Sequence, residues 1–173
     1  MDAASGEGVA SSSLALIDTH CHLDDPAFAA DREAVIAASR NAGVSWWVNV
    51  GFNPRRWQST IQLANATVGM WLALGLHPLH AEEWSEATRE ELRTLLQRSN
   101  AVAIGEIGLD FARGRQNREV QRRAFDQQLE LGMELGLPII IHQRAAEADL
   151  AEMLSAFPPD HPILLHSFDA EGP

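Results

Sequence analysis

Hydrophobic and polar positions along the chain alternate on a coarse scale: a short, near-continuous apolar run, then a longer stretch with helical periodicity, repeatedly. The apolar runs are LALID (14–18), VSWWVNV (44–50), MWLALG (70–75), AVAIG (101–105), LPIII (137–141) and PILL (162–165). Runs without internal polar alternation fit parallel strands covered on both faces. Helical spacing occupies 31–42, 54–66, 86–98, 116–135 and 145–156. Asp31 offers a start signal to the first and Gly43 a stop. In the 116–135 segment, Val120, Ala124, Phe125, Leu129 and Leu131 approximate one apolar stripe, closed by Gly136 and Pro138. Six βα-type strands with five connecting helices make an α/β protein with right-handed crossovers. Two architectures accept that order, an open doubly wound sheet and a (β/α)₈ barrel represented in part, since a whole barrel takes about 250 residues and this chain has 173.

The polar residues that follow the apolar runs favour the barrel. Of seven histidines, five follow directly on an apolar run: His20 and His22 the first, His77 the third, His142 the fifth and His166 the sixth. Glu106 ends the fourth. In a parallel barrel these strand ends open on a single rim, where barrel active sites lie. Strand alternation puts Asp18, His20 and His22 on one face and Thr19 and Cys21 on the other, and aligns Val102, Ile104 and Glu106. A lone strand-end histidine is ordinarily a hydrogen-bonded loop or core residue, and His-x-His alone is a weak signal. The joint occurrence is what points to a mixed nitrogen and oxygen ligand set, suited to zinc, manganese or a related divalent ion rather than calcium. His161 precedes its strand, at the opposite rim, and receives no catalytic role. His80 is expected to face solvent.

Composition narrows the setting. The net charge of −11 argues against a broad nucleic-acid or anionic-membrane surface, although bound cations would reverse the field locally. With one cysteine, Cys21, no internal disulfide forms. No apolar run approaches the ~20 residues of a membrane span, and the start lacks the pattern of a secretory signal. Residues 1–13 read as a flexible leader, residues 14–173 as one partial barrel domain, and the expected location is the cytoplasm. Packing against helices is the reading for Trp46, Trp47 and Trp71, and an outward-facing position for Cys21.

The motifs DTHCHLD (18–24), LGLHP (74–78), AIGEIGLDF (103–111), the Gln121–Phe125–Gln128 region, LPIIIHQR (137–144) and ILLHSF (163–168) resemble the TatD family of metal-dependent deoxyribonucleases. The likeness runs from about residue 15 to the end of the chain. It implies an amidohydrolase-like TIM barrel that hydrolyses DNA phosphodiesters with two divalent metal ions (Mg, Mn or Zn), often from 3′ ends. By position, it implies His20 and His22 on the first metal, Glu106 bridging, and His142 and His166 on the second, with Arg144 and His77 near the substrate. Many amidohydrolase-like dinuclear enzymes bridge through a carboxylated lysine. All 13 basic residues here are arginine, so a glutamate bridge is the consistent choice and a phosphotriesterase-type site is not.

Departures from the family pattern are Gln143 and Ala145 on either side of Arg144, which put support for His142 in question, while Asp110 remains as a supporting carboxylate. Arg113 and Arg115 lie on the rim side as possible DNA-backbone contacts. The resemblance also implies a further strand bearing an aspartate ligand. Asp169, in the loop that follows His166, is not that residue. The expectation is therefore a polypeptide with most of a dinuclear site, exposed edges at its first and sixth strands, and weak or no turnover. Two rival readings stay open, an amidohydrolase-like enzyme of small esters or amides and a remnant that binds metal without turnover.

Overall fold

The computed structural model describes residues 15–112 and 117–166. Residues 1–13, Arg113, Arg115 and Asp169, which carry expectations above, lie outside that range. The strands are β1 (Leu16–Cys21), β2 (Val44–Gly51), β3 (Met70–Leu74), β4 (Ala101–Asp110), β5 (Ile139–Arg144) and β6 (Ile163–His166). The helices between them are α1 (Arg32–Asn41), α2 (Pro54–Ala66), α3 (Glu86–Arg98), α4 (Arg118–Leu135) and α5 (Glu147–Ser155). Short 3₁₀ turns at Pro26–Phe28 and Pro78–Glu83 complete the list.

Local signals explain the helix starts. Asn53, Ser85 and Asn117 each accept a hydrogen bond from a backbone N–H of the first turn, satisfying donors that have no partner within the helix. Pro54 occupies the first helical position of α2, where a missing N–H costs nothing. Gly136 closes α4 in the left-handed conformation, φ 64°.

All pairings are parallel, and the order is β1-β2-β3-β4-β5-β6. A doubly wound sheet reverses its order at a switch point; this one never does, so the barrel arrangement holds. The sheet also curls. β1 and β6 are its two edges, yet His20 on β1 and His166 on β6 stack with ring centroids 3.6 Å apart. The main core lies between the sheet's outer face and the helices, built on Trp47, Trp57, Leu72, Leu74, Ile104, Ile107 and Phe125. A second cluster, Val50, Ala73, Ala103 and Ile140, fills the concave face.

Several expectations need correction. Every strand but β3 extends beyond its apolar run, so His20, Glu106, His142 and His166 lie within strands. Ile104 and Glu106 do not share a face. The β4–β5 register shifts between Ile104 and Ile107, so Ile104 packs under the helices while Glu106 turns to the concave side. Trp47 packs against the helices as expected, but Trp46 and Trp71 are 42% and 46% exposed. They alternate with Trp47 and Leu72 and therefore face away from the helices. Cys21 does point outward, its sulfur directed at the Val48 carbonyl, 3.5 Å away.

Candidate metal centre

The concave face narrows at the C-terminal ends of the strands onto one carboxylate. Glu106 is 4% exposed, and a ring nitrogen from each of five histidines lies within 4.0 Å of it. Its two oxygens are shared out. Oε2 faces His20 Nε2 at 3.4 Å and His22 Nε2 at 3.9 Å. Oε1 faces His142 Nδ1 at 2.9 Å, His166 Nε2 at 3.9 Å and His77 Nε2 at 4.0 Å. Burial alone would raise the Glu106 pKa, but hydrogen bonding to His142 and the facing imidazoles hold it well below the usual carboxylate range. The carboxylate is therefore ionised at neutral pH.

Hydrogen bonds assign roles to the imidazole nitrogens. His22 donates Nδ1–H to the Val50 carbonyl at 2.8 Å, since a carbonyl only accepts. Its Nε2 lone pair then points at the Glu106 side, the arrangement common to metal-binding histidines. His77 is the reverse. Its Nδ1 accepts the Leu79 N–H at 3.1 Å, so the neutral ring carries its proton on Nε2, facing Glu106. Burial lowers its pKa to about 4, keeping it neutral. His142 sits between two carboxylates, Nδ1 on Glu106 and Nε2 on Asp110 Oδ2 at 3.3 Å. Burial opposes protonation there, but the two carboxylates prevail and raise its pKa. His166 is lowered by burial and by the stacked His20.

The residues present fit divalent metal. Among the described residues neither buried ring nitrogen of His20 has a hydrogen-bond partner, Nε2 lying only within ion-pair range of Glu106, an expense that buried polar atoms rarely carry unless something binds them. His20, His22 and Glu106 place one ligand atom each within 4.8 Å of one another, and so do His77, Glu106 and His142. In the second trio, His77 is better matched to donating a hydrogen bond than to ligation, because its unprotonated nitrogen is taken by Leu79.

A pocket of roughly 300 Å³ opens over the cluster. Its lining includes His77, Asp110 and the exposed Arg144, all expected from sequence, together with Asp25, Phe52 and His80, which were not. Phe52 directly follows β2, so the strand-end logic applied to the histidines would have found it. Its ring meets His22 and His77 edge to face, 5.0 and 5.9 Å between centroids. His80 does not simply face solvent; it hydrogen-bonds Asn53 at 3.0 Å and Glu83 at 3.2 Å. Gln143 points away from His142 and is buried without a hydrogen-bond partner among the described residues, so it lends His142 no support. Asp110 supplies that instead. His161 lies at the opposite rim, bonded to the Leu137 carbonyl at 2.8 Å. A larger hollow, about 870 Å³ between α1 and α2, gathers no histidine.

Comparison with known proteins agrees with the fold. Residues 17–172 match the family model for TatD-related DNases. The protein named 3′-5′ ssDNA/RNA exonuclease TatD of Pantoea vagans is 40% identical over 145 residues, covering 83% of this chain and 56% of that protein. Its namesake in Shigella flexneri is 35% identical, covering 88% and 59%. The chain thus spans less than two thirds of the length of these relatives. Among solved structures, the Escherichia coli K12 TatD homologue YjjV superposes with a TM-score of 0.83 at 34% identity, covering 90% of this chain and 61% of that one. A TatD-family hydrolase from Entamoeba histolytica gives the same TM-score at 23% identity, a likeness of fold. The chain belongs to the TatD-related DNase family.

Proposed function

We propose that the Glu106 cluster is a dinuclear metal site for hydrolysing phosphodiester bonds of single-stranded DNA or RNA, trimmed from the 3′ end. The observation that carries this reading is the division of one buried carboxylate between two groups of imidazoles, with Oε2 serving His20 and His22 and Oε1 serving His142 and His166. On this reading His20, His22, Glu106, His142 and His166 would hold two divalent ions, Mg, Mn or Zn. Bound there, such ions would supply a hydroxide near neutral pH and neutralise charge on the phosphoryl oxygens.

The chain's own groups do the rest. Val50 holds His22 so that Nε2 faces the site. Asp110 orients His142 through Nε2. His77, neutral and carrying its proton on Nε2, donates a hydrogen bond to a phosphoryl oxygen, and Arg144 meets the phosphate with a forked guanidinium. An acidic chain needs such local positive charge to hold an anionic polymer. The names of the relatives, which act on single strands from the 3′ end, support the substrate class.

The test is release of nucleotides from 3′-labelled single-stranded DNA with Mn²⁺ present, for the parent and Glu106→Gln. Turnover that falls at least about a hundredfold in the variant is expected. Turnover that survives the substitution, or hydrolysis of small esters or amides but not of nucleic acid, would overturn the proposal.

A further inference from the structure

Helix α4 carries two glutamines that its apolar stripe does not explain. Gln121 is 2% exposed and Gln128 fully buried. Seven residues apart, they lie on one face, two turns along the helix. Each side-chain amide brackets the backbone of a single residue, as a neighbouring strand would. Gln128 accepts the Leu76 N–H through Oε1 at 2.7 Å and donates Nε2–H to the Leu76 carbonyl at 3.2 Å. Gln121 does the same to Asp110, at 2.9 Å in both directions.

The bracketed residues are the ones that matter to one half of the site. Leu76 directly precedes His77, and Asp110 carries the carboxylate that holds His142. His20 and His22 have a separate support. Asn49 accepts the Leu23 N–H at 2.7 Å and donates to Asp24 at 3.1 Å, and Asp24 is tied to Arg56 at 2.8 Å and to Thr60 at 3.0 Å. No glutamine of α4 reaches that loop.

We infer that Gln121 and Gln128 are positioning residues: through two backbone brackets, one rigid helix fixes His77 and His142 around Glu106 Oε1, independently of the His20–His22 half. This rests on the proposed function only in treating the Glu106 cluster as the working site. A glutamine amide suits the task because it donates and accepts in one plane without charge. Methionine matches its volume but can do neither well, and an ionised glutamate can only accept.

The experiment is NMR of metal-free protein with ¹⁵N-labelled imidazoles, for the parent, Gln121→Met and Gln128→Met, each well below its own melting midpoint. Gln128→Met should move the His77 ring-nitrogen shifts, and Gln121→Met those of His142, while His20 and His22 stay where they are in the parent. A lower melting midpoint with no histidine shift, or equal movement of all the rim histidines, would reduce the glutamines to packing and overturn the inference. Should a methionine variant fail to fold, the glutamate variant is measured against the same pattern. A Mn²⁺ titration gives a second readout: one binding step weakened about ten- to a hundredfold, the other unchanged. The NMR readout needs no metal. If the parent bound no Mn²⁺ at all, the functional proposal would fail while the histidine shifts would still decide the positioning one.

Discussion

The bond from His22 Nδ1 to the Val50 carbonyl and the bond from Leu79 N–H to His77 Nδ1 give two rim histidines opposite tautomers. Sequence spacing placed both at the rim but carries no information on tautomer, which depends on which backbone group each ring meets. The consequence for His77 is measurable. Its pKa lies near 4 in the fold, below the ordinary 6.5, because of burial. Between those values the unfolded chain binds a proton that the folded chain refuses, so stability is lost as pH falls through that window. His142 acts in the opposite sense: raised by its carboxylates, it stabilises fully below pH 6.5, and that contribution fades as pH rises through its folded value. Replacing His77 by asparagine removes the first effect. Metal-free His77→Asn should lose less stability than the parent between pH 6.5 and 4, by up to roughly 3 kcal/mol. Parallel denaturant-unfolding curves would contradict this. Cys21 offers a second residue-scale check. Burial, then the charge of Asp18, pushes its thiol up to about 12, so native protein should react very slowly with a disulfide reagent at pH 8 and promptly once denatured. Fast native labelling would place the sulfur elsewhere.

Elements were legible where local chemistry marks them. Helices α2 and α3 read to the residue at 54–66 and 86–98 because Asn53, Pro54 and Ser85 announce their starts. Strands other than β3 were read short at their C-terminal ends, for a physical reason. An apolar run reports burial against helices, whereas the ladder continues wherever backbone pairs, and on the concave face it continues through polar ligands. β4 runs on past AVAIG through Glu106 to Asp110, and its register shift, which turns Glu106 inward, leaves no mark in hydropathy. Gly108 shows how closely β4 and β5 approach beside the site. It has φ 133°, and a Cβ there would lie 2.1 Å from the His142 carbonyl oxygen. Gly108→Ala should therefore destabilise the fold by several kcal/mol, since no flexible side chain is available to move aside; an unchanged melting midpoint would refute that contact. Trp57 on α2, fully buried with its indole N–H on the Gly75 carbonyl at 3.0 Å, should cost about 3–5 kcal/mol as Trp57→Ala, read by denaturant unfolding.

At the scale of the molecule, the unbroken strand order and the curl that brings His20 onto His166 gather ligands scattered over some 150 positions at one carboxylate. The gathering was legible because every βα unit repeats the same polarity, so strand-end residues share a rim whatever their separation in sequence. Asp110 and the Gln121–Phe125–Gln128 region were marked by the family likeness; what the sequence hid was how the two glutamines act, because their bonds to the backbone of Asp110 and Leu76 leave no mark in a motif. No described helix is long and apolar enough to cross a membrane. A molecule built around such a cluster should respond to metal as a whole. Mn²⁺ at a hundredfold over its dissociation constant should raise stability by about 2.7 kcal/mol per site, and a chelator should reverse it. The most direct measurement is the number of Mn²⁺ ions bound per chain at saturation, for the parent and Glu106→Gln. Near two ions in the parent, with both sites weakened by the one substitution, is the predicted result. Equal binding by the two proteins would contradict a bridging Glu106 and with it the proposed dinuclear site.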